Sequence, residues 1–157
     1  DRIERLVCEY GRMLVRLAAS RLDSVADAED AVQDVFCTLV SKKLVFVDPE
    51  YEKAWLIRAT INRASDLRRR KSRLNVPLDE ARAVPDDAAE TERRGREMLA
   101  CVRALPEKYA VVLHLHYYEG CGLREIGVML RVPAATVGTR LARGRARLKA
   151  LLEEESL

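Results

Sequence analysis

Three carboxylates and two histidines are the side chains of this sequence that could hold a metal ion. Glu29, Asp30 and Asp34 share one face of a predicted helix, as the acidic ligands of a metal-dependent nuclease could. No histidine or basic catalytic partner lies near them, so an acidic face that is solvated or binds a protein is the better interpretation. His114 and His116 stand two residues apart and point to opposite sides of a helix, which argues against a shared ion.

The remaining sequence offers no catalytic machinery. It contains no nucleophile, base and orienting residue in a recognisable set, and no glycine-rich phosphate loop. The four cysteines lie far apart without a C-x-x-C motif, so we expect reduced thiols. Nothing resembles a signal peptide and no apolar run approaches the ~20 residues of a membrane span. We therefore expect a cytoplasmic protein that is not an enzyme and uses no metal, cofactor or small-molecule substrate.

A nucleic acid is the better candidate ligand, because "WLIRATINRASDLRRRKSR" ends with five basic residues among the six from Arg68 to Arg73. Ile57, Ile61 and Ala64 form its predicted buried stripe. The other face and its flanks carry side chains that can stack on bases, read base edges or neutralise phosphates: Trp55, Arg58, Asn62, Arg63, Asp66, Arg69 and Arg70. Taken alone, Trp55 is better explained by packing on a neighbouring helix or on the preceding "VFV" loop.

A second candidate surface lies near the C-terminus, where "REIGVMLRVPAATVGTRL" has a helix-turn-helix pattern. Val137, Leu141, Gly144 and Leu148 align on one side of the last helix. The other side and its flanks carry Ala135, Thr136, Thr139, Arg140, Arg143 and Lys149. Small residues in front and arginines behind suit a helix in a major groove, and the alternative is a basic amphipathic helix in any helical hairpin.

Apolar residues at three- and four-residue steps predict an all-α protein of two small helical domains joined by an acidic linker. Residues 1–73 form the N-terminal domain and residues 93–157 a four-helix domain that ends in the helix-turn-helix. The linker, 74–92, has two prolines and six acidic residues against one basic. The net charge of the whole chain is only +3, so the distribution of charge is what favours nucleic acid.

The predicted helix limits follow from the same periodicity and from capping residues. The first helix runs from Ile3 to about Leu22, the second begins at an N-cap at Asp27, and the third runs from near Glu52 to about Ser72. The segment 42–52 is predicted to be a loop. The last helix is expected to end at about Glu153.

Together these segments resemble a bacterial RNA polymerase sigma factor of the extracytoplasmic-function group. "DAEDAVQDVF" resembles the segment that binds the clamp helices of the polymerase β′ subunit, which implies that role for Asp30, Gln33 and Asp34. "AWLIRATINRASDLRRRKSR" resembles the helix that reads the promoter −10 element. The resemblance implies that the loop 42–52 holds a flipped base and that the linker threads toward the polymerase active-site channel.

The helix-turn-helix resembles the domain that reads the promoter −35 element, which implies contacts by Arg131, Ala135, Thr136, Thr139, Arg140, Arg143 and Arg147. Arg131 stands where the family usually has a turn glycine, so the turn is either strained or holds a non-glycine residue at positive φ. The resemblance also implies an anti-sigma factor as a partner, beside core RNA polymerase and promoter DNA. The alternative function is a helix-turn-helix regulator that binds duplex DNA without polymerase.

Overall fold

In the computed structural model, residues 1–74 and 89–155 are described. They form helices and no strand, which confirms the all-α prediction. Most of the predicted linker, residues 75–88, lies outside the described residues, and the division into domains stays a prediction.

The N-terminal half consists of three helices, α1 (Arg2–Ala19), α2 (Val25–Ser41) and α3 (Pro49–Arg73). They pack on one another through aliphatic side chains, because each helix has one apolar stripe and the three stripes face a common centre. The predicted stripe of α3 is confirmed, since Ile57, Ile61 and Ala64 are all buried. Phe36, at the end of the "DAEDAVQDVF" segment, is buried as well.

Two helix starts in this half differ from the prediction. Ser24, not Asp27, is the N-cap of α2, and its Oγ accepts a hydrogen bond from the Asp27 backbone N–H at 3.3 Å. A hydroxyl at the N-cap reaches the N–H group three residues on, which puts Asp27 in the first turn. Asp48 caps α3 with its carboxylate, which accepts a hydrogen bond from the Glu50 N–H two residues on, and Pro49 opens that helix three residues before the predicted start.

The C-terminal half contains α4 (Ala89–Ala104), α5 (Glu107–Leu113), α6 (Leu123–Leu130) and α7 (Ala134–Glu155). The turns after α5, His114–Tyr118, widen into a π-helical segment that ends before Gly120, a residue with positive φ. The predicted four helices are confirmed, although α4 begins four residues before its expected start. Val137 and Leu141 of α7 are buried, as its periodicity predicts.

The two halves contact each other, chiefly where α3 packs against α6. None of the helices in the described ranges is long and apolar enough to cross a membrane. Within the same ranges, no group of three or more histidine, cysteine, aspartate or glutamate residues could hold a metal ion.

Candidate functional site

The acidic face of α2 is presented to solvent as the sequence predicts. Asp30, Gln33 and Asp34 are all exposed, because Ala31 and Val35 turn the opposite side of the helix into the hydrophobic core. Gln33 also borders a shallow apolar groove between α1 and α2, whose other walls include Val7, Gly11, Val15 and Phe36. The exposed face therefore offers a protein partner two carboxylates, one amide and an adjoining apolar groove.

One ion pair connects this acidic face to the basic helix. The Nε of Arg63 lies 2.8 Å from the Oδ2 of Asp34, and both side chains remain partly accessible to solvent. Sequence reasoning placed Asp34 and Arg63 in two separate sets, one for a protein and one for DNA. In the structure each neutralises the other, and a ligand of either residue has to compete with this pair.

Trp55 packs on the loop that precedes α3. Its ring lies 5.8 Å from that of Phe46, with the ring planes tilted by 42°. The tryptophan is half-buried, so the interpretation that it packs on the "VFV" loop is confirmed. Val45 and Val47 of the same loop project into solvent. The loop and the tryptophan thus form one continuous apolar surface at the start of the basic helix.

Arg58 is directed at the helix-turn-helix instead of solvent. Its Nη1 donates a hydrogen bond of 2.9 Å to the carbonyl oxygen of Met129, in the last turn of α6. Burial lowers the pKa of the Arg58 guanidinium, and the positive charge of Arg131 lowers it further. A residue predicted to read the −10 element therefore lies beside one predicted to read the −35 element.

The remaining polar residues of α3 divide into exposed and engaged groups. Asn62, Arg70 and Arg73 are exposed, and Asp66 forms an ion pair with Arg69 one turn along the helix. Arg68, by contrast, donates hydrogen bonds to two backbone carbonyl groups.

Lys71 contacts the carboxylates of Asp23 and Asp27. Its hydrogen bond with Asp27 is the main reason that the pKa of Lys71 is raised. Not every cation from Arg68 to Arg73 is therefore free to bind a phosphate, because Arg68 and Lys71 already form contacts within the protein.

The helix-turn-helix brings together most of its predicted contacts. Ala135, Thr136, Thr139, Arg140 and Arg143 line one side of a shallow cleft at the front of α7. Arg147 follows one turn later, with its guanidinium 4.8 Å from the centre of the Tyr109 ring. This face of α7 therefore has small side chains in its N-terminal turns and arginines in the turns that follow, an arrangement that suits a helix in a major groove.

The opposite wall of this cleft consists of Lys108 and Tyr109, which sequence reasoning missed. The Lys108 Nζ lies 5.1 Å from the centre of the Tyr109 ring. Burial acts to raise the pKa of the Tyr109 phenol, but the positive charges of Lys108, Arg147 and Arg143 outweigh it and lower that pKa. The available signal was Lys108 itself, a cation in the first turn after Pro106, since a residue at a helix start can reach the face of a neighbouring helix.

Arg131 occupies the turn between α6 and α7 in a left-handed conformation, with φ 60° and ψ 44°. The sequence analysis left two outcomes open for this non-glycine residue, and the structure shows the positive φ. The turn is closed by a 3.0 Å hydrogen bond from the Val132 N–H to the Gly127 carbonyl. Arg131 itself is exposed, beside the start of the predicted recognition helix.

Replacing Arg131 with glycine is expected to raise the free energy of unfolding by about 1 kcal/mol, because a β-carbon is disfavoured in the left-handed region. Urea denaturation followed by circular dichroism measures the change. Arg131→Ala is the matched control, since it removes the guanidinium but keeps the β-carbon. Equal stability of the two variants would contradict the strain at this turn.

Two protein families match separate parts of the chain. Sigma-70 region 2 matches residues 6–74, and Sigma-70 region 4 matches residues 95–148. The first match covers most of α1 and all of α2 and α3, and the second covers most of α4 through α7. The acidic face and the basic helix thus fall within region 2, and the helix-turn-helix falls within region 4.

Individual proteins are similar over almost the whole chain. The ECF RNA polymerase sigma factor SigM of Mycobacterium tuberculosis is 32% identical over 95% of this chain and 76% of its own length. SigE of Mycolicibacterium smegmatis is 30% identical over 98% of this chain, which spans 62% of that relative's length. The structure of the sigma factor RpoE from Bartonella quintana, solved with the anti-sigma factor NepR, has the same fold, with a TM-score of 0.72, 20% identity and 96% of each chain covered.

Proposed function

The chain belongs to the family of extracytoplasmic-function RNA polymerase sigma factors, and on that premise we propose that it binds core RNA polymerase and directs initiation at promoters with −10 and −35 elements. The observation that carries the proposal is the presence of a basic, DNA-compatible surface on each half, together with the exposed acidic face of α2. A DNA-binding regulator would have no use for that acidic face.

We propose that Asp30, Gln33 and Asp34 contact the β′ clamp helices of core RNA polymerase. The support is their shared exposure on α2 and the apolar groove beside Gln33. A helical partner can place an apolar side chain in such a groove while its cations pair with the carboxylates at the rim. For a member of this family, the helical partner of this kind is the pair of clamp helices of the β′ subunit.

For the −10 element, we propose that the exposed residues of α3 contact the DNA before Arg58 and Arg63 do. Asn62 is placed to read a base edge, and Arg69 and Arg70 to neutralise phosphates of the displaced strand. Trp55 contributes part of the apolar surface, formed with the "VFV" loop, against which an extracted base can pack. Arg58 and Arg63 join this set only when their present partners release them.

For the −35 element, the front of α7 is proposed to enter the major groove. Ala135, Thr136 and Thr139 lie where base edges would be, and Arg140, Arg143 and Arg147 lie where the flanking phosphates would be. Arg131, in the turn, is proposed as a further phosphate contact. Lys108 extends the phosphate-binding side of the same cleft.

The proposed sigma factor has no catalytic activity of its own, because core RNA polymerase performs the chemistry. It would act in the cytoplasm, where the polymerase and its promoters are. An anti-sigma factor is proposed as a further partner, as in the complex solved for RpoE.

A run-off transcription assay with this chain, core RNA polymerase and genomic promoter fragments tests the proposal. Specific transcripts that require the added chain are expected. Tight binding of the chain alone to duplex DNA, without specific initiation, would instead favour the helix-turn-helix regulator.

Replacing Arg143 with alanine is expected to weaken promoter binding on all sequences and to flatten its salt dependence. Loss of one phosphate contact should reduce the slope of log K against log salt by about 0.9, since one fewer counterion is released. Arg145→Ala is the matched control, because Arg145 lies on another face of α7, where it donates a hydrogen bond to the hydroxyl of Tyr117. Equal slopes for the wild type and the Arg143 variant would remove Arg143 from the contacts.

A further inference from the structure

The carboxylate of Glu119 is shared by two side chains that come from different halves of the chain. Arg16 of α1 donates two hydrogen bonds to it, of 2.9 and 3.0 Å. The Nε2 of His114, the first residue of the π-helical segment, lies 3.2 Å from the Oε1 of Glu119. The side chains of His114 and Glu119 are only 9% and 8% exposed, whereas that of Arg16 is 42% exposed. Arg16 therefore contacts a buried histidine–carboxylate pair from the solvent side.

The aromatic ring of Tyr118 is shared by the same two side chains. It stacks on the imidazole of His114, with ring centres 5.1 Å apart and planes inclined by 13°. The guanidinium carbon of Arg16 lies 5.9 Å from the centre of the same ring. An aromatic face attracts a cation, so this ring can stabilise either the guanidinium or a protonated imidazole. One carboxylate and one ring thus contact two groups that can carry positive charge.

The hydrogen bond to Glu119 determines which nitrogen of His114 can take up a proton. A carboxylate only accepts hydrogen bonds, so Nε2 is the donor and a further proton binds to Nδ1. With His114 neutral, Arg16 supplies the positive charge that neutralises Glu119. The further proton makes His114 a cation, which repels Arg16 and gives Glu119 a counter-charge from its own half.

The charges around His114 act on its pKa in opposite directions. The charged and titratable groups described there are Glu119 and Tyr118 of its own segment and Arg16 of α1. Burial is the main cause that lowers the pKa below its ordinary value, and the charge of Arg16 lowers it further. The charge and the hydrogen bond of Glu119 raise the pKa, but burial outweighs them. Release of Arg16 removes a lowering cause, so the pKa of His114 should then rise.

We propose that Arg16 and a proton on His114 are alternative counter-charges for Glu119, so that acidification weakens the contact between α1 and the C-terminal half. The contact holds above the pKa that His114 has without Arg16. It weakens as the pH falls from that value to the lower pKa of the paired state, by about tenfold for each unit between the two. The inference goes beyond the proposed function and does not depend on it.

The exchange also has a consequence for the surface of the N-terminal half. Arg16 lines the apolar groove between α1 and α2, on the wall opposite Gln33. A guanidinium released from Glu119 stays at the edge of this groove, because it is attached to α1. Acidification therefore adds an unpaired positive charge to the groove, next to the acidic face of α2.

A proton NMR titration of the imidazole rings tests whether the two cations are linked. In Arg16→Gln, the pKa of His114 is expected to be higher than in the wild type. Arg12→Gln is the matched control, because it removes the same charge from α1 one turn earlier, at an exposed residue. It should leave the pKa of His114 unchanged. Equal pKa values of His114 in the wild type and in Arg16→Gln would overturn the proposal.

The second histidine provides an internal control in each spectrum, since the chain contains only two. The Nδ1 of His116 lies 2.8 Å from the carbonyl oxygen of Cys121 and is not directed at Glu119. Its signal should respond to pH in the same way in all three proteins. A change at both histidines in Arg16→Gln would show a general rearrangement of the C-terminal half and would also overturn the proposal.

The side chain of Arg16 reports on the contact itself. In isotope-labelled protein, its Nε–H resonance is identified by its absence from Arg16→Gln. This resonance is expected to shift on acidification with the same midpoint as the His114 ring. In His114→Gln, whose amide can donate to Glu119 but takes up no proton, the resonance should keep its neutral-pH position over that range.

Two outcomes of this second measurement would overturn the exchange. One is an Arg16 resonance that does not follow His114 in the wild type, and the other is an equal shift in His114→Gln. Both titrations use the chain without polymerase or DNA. Their failure is therefore distinguishable from a failure of the run-off assay.

Discussion

Charge reversal of Asp34 to arginine is expected to weaken binding to core RNA polymerase tenfold or more, which corresponds to about 1.4 kcal/mol. The carboxylate is half-exposed on the acidic face of α2, and Arg63 is its one described ion-pair partner. Reversal removes an attraction to a cation of the clamp helices and replaces it with repulsion. A titration of labelled core polymerase with each variant measures the loss.

The Arg63 contact makes a sharper control possible. In the single variant, two arginines face each other across α2 and α3, so a change in packing could also weaken binding. The double variant Asp34→Arg with Arg63→Asp restores the ion pair in the opposite sense. If Asp34 contacts the polymerase, binding stays weak in the double variant. Recovery of wild-type affinity would show that the ion pair, and not the carboxylate itself, supports the interface.

The helices and the faces they bury could be predicted from the sequence, because both follow from local spacing. The stripe of Ile57, Ile61 and Ala64 and the exposed set Asp30, Gln33 and Asp34 depend only on the 3.6-residue period. Helix starts were less accurate. Ser24 and Asp48 are both good N-caps, but Asp27 is equally good by type, and the choice among such residues depends on where the chain enters the helix.

The partners of the long cations could not be predicted, since they depend on how the helices dock. Arg58, Arg63 and Arg68 look alike in the sequence, as basic residues of α3 that follow one another at five-residue steps. In the structure the first meets a backbone carbonyl of α6, the second a carboxylate of α2, and the third a carbonyl of α4. A long, flexible side chain can reach any partner within several ångströms, and the periodicity of the sequence does not show which partner it contacts.

The turn of the helix-turn-helix depends on a glycine inside α6 as well as on Arg131. A β-carbon added at Gly127 would lie 2.7 Å from the carbonyl oxygen of Val132, a backbone atom held by its own turn. Sequence reasoning examined Arg131 and passed over Gly127, because the close approach becomes visible only when α6 and the turn fold together. The position requires glycine for space and not for its backbone angles.

Replacing Gly127 with alanine is therefore expected to lower the free energy of unfolding by about 1–3 kcal/mol, the range for forcing extra atoms into a packed site. The loss should fall mainly on the C-terminal half. Urea denaturation monitored by circular dichroism reports on all helices, and fluorescence of Trp55, the single tryptophan, reports on the N-terminal half. The circular dichroism midpoint should shift more than the fluorescence midpoint.

Gly138→Ala is the matched control, because it adds the same methyl group to the neighbouring helix. Its β-carbon would lie 3.4 Å from the Leu123 side chain, which can adjust, and alanine is the better helix former by about 1 kcal/mol. The two substitutions should thus change stability in opposite directions. If both lowered it equally, general crowding between α6 and α7 would explain the result better than the contact of Gly127 with the Val132 carbonyl.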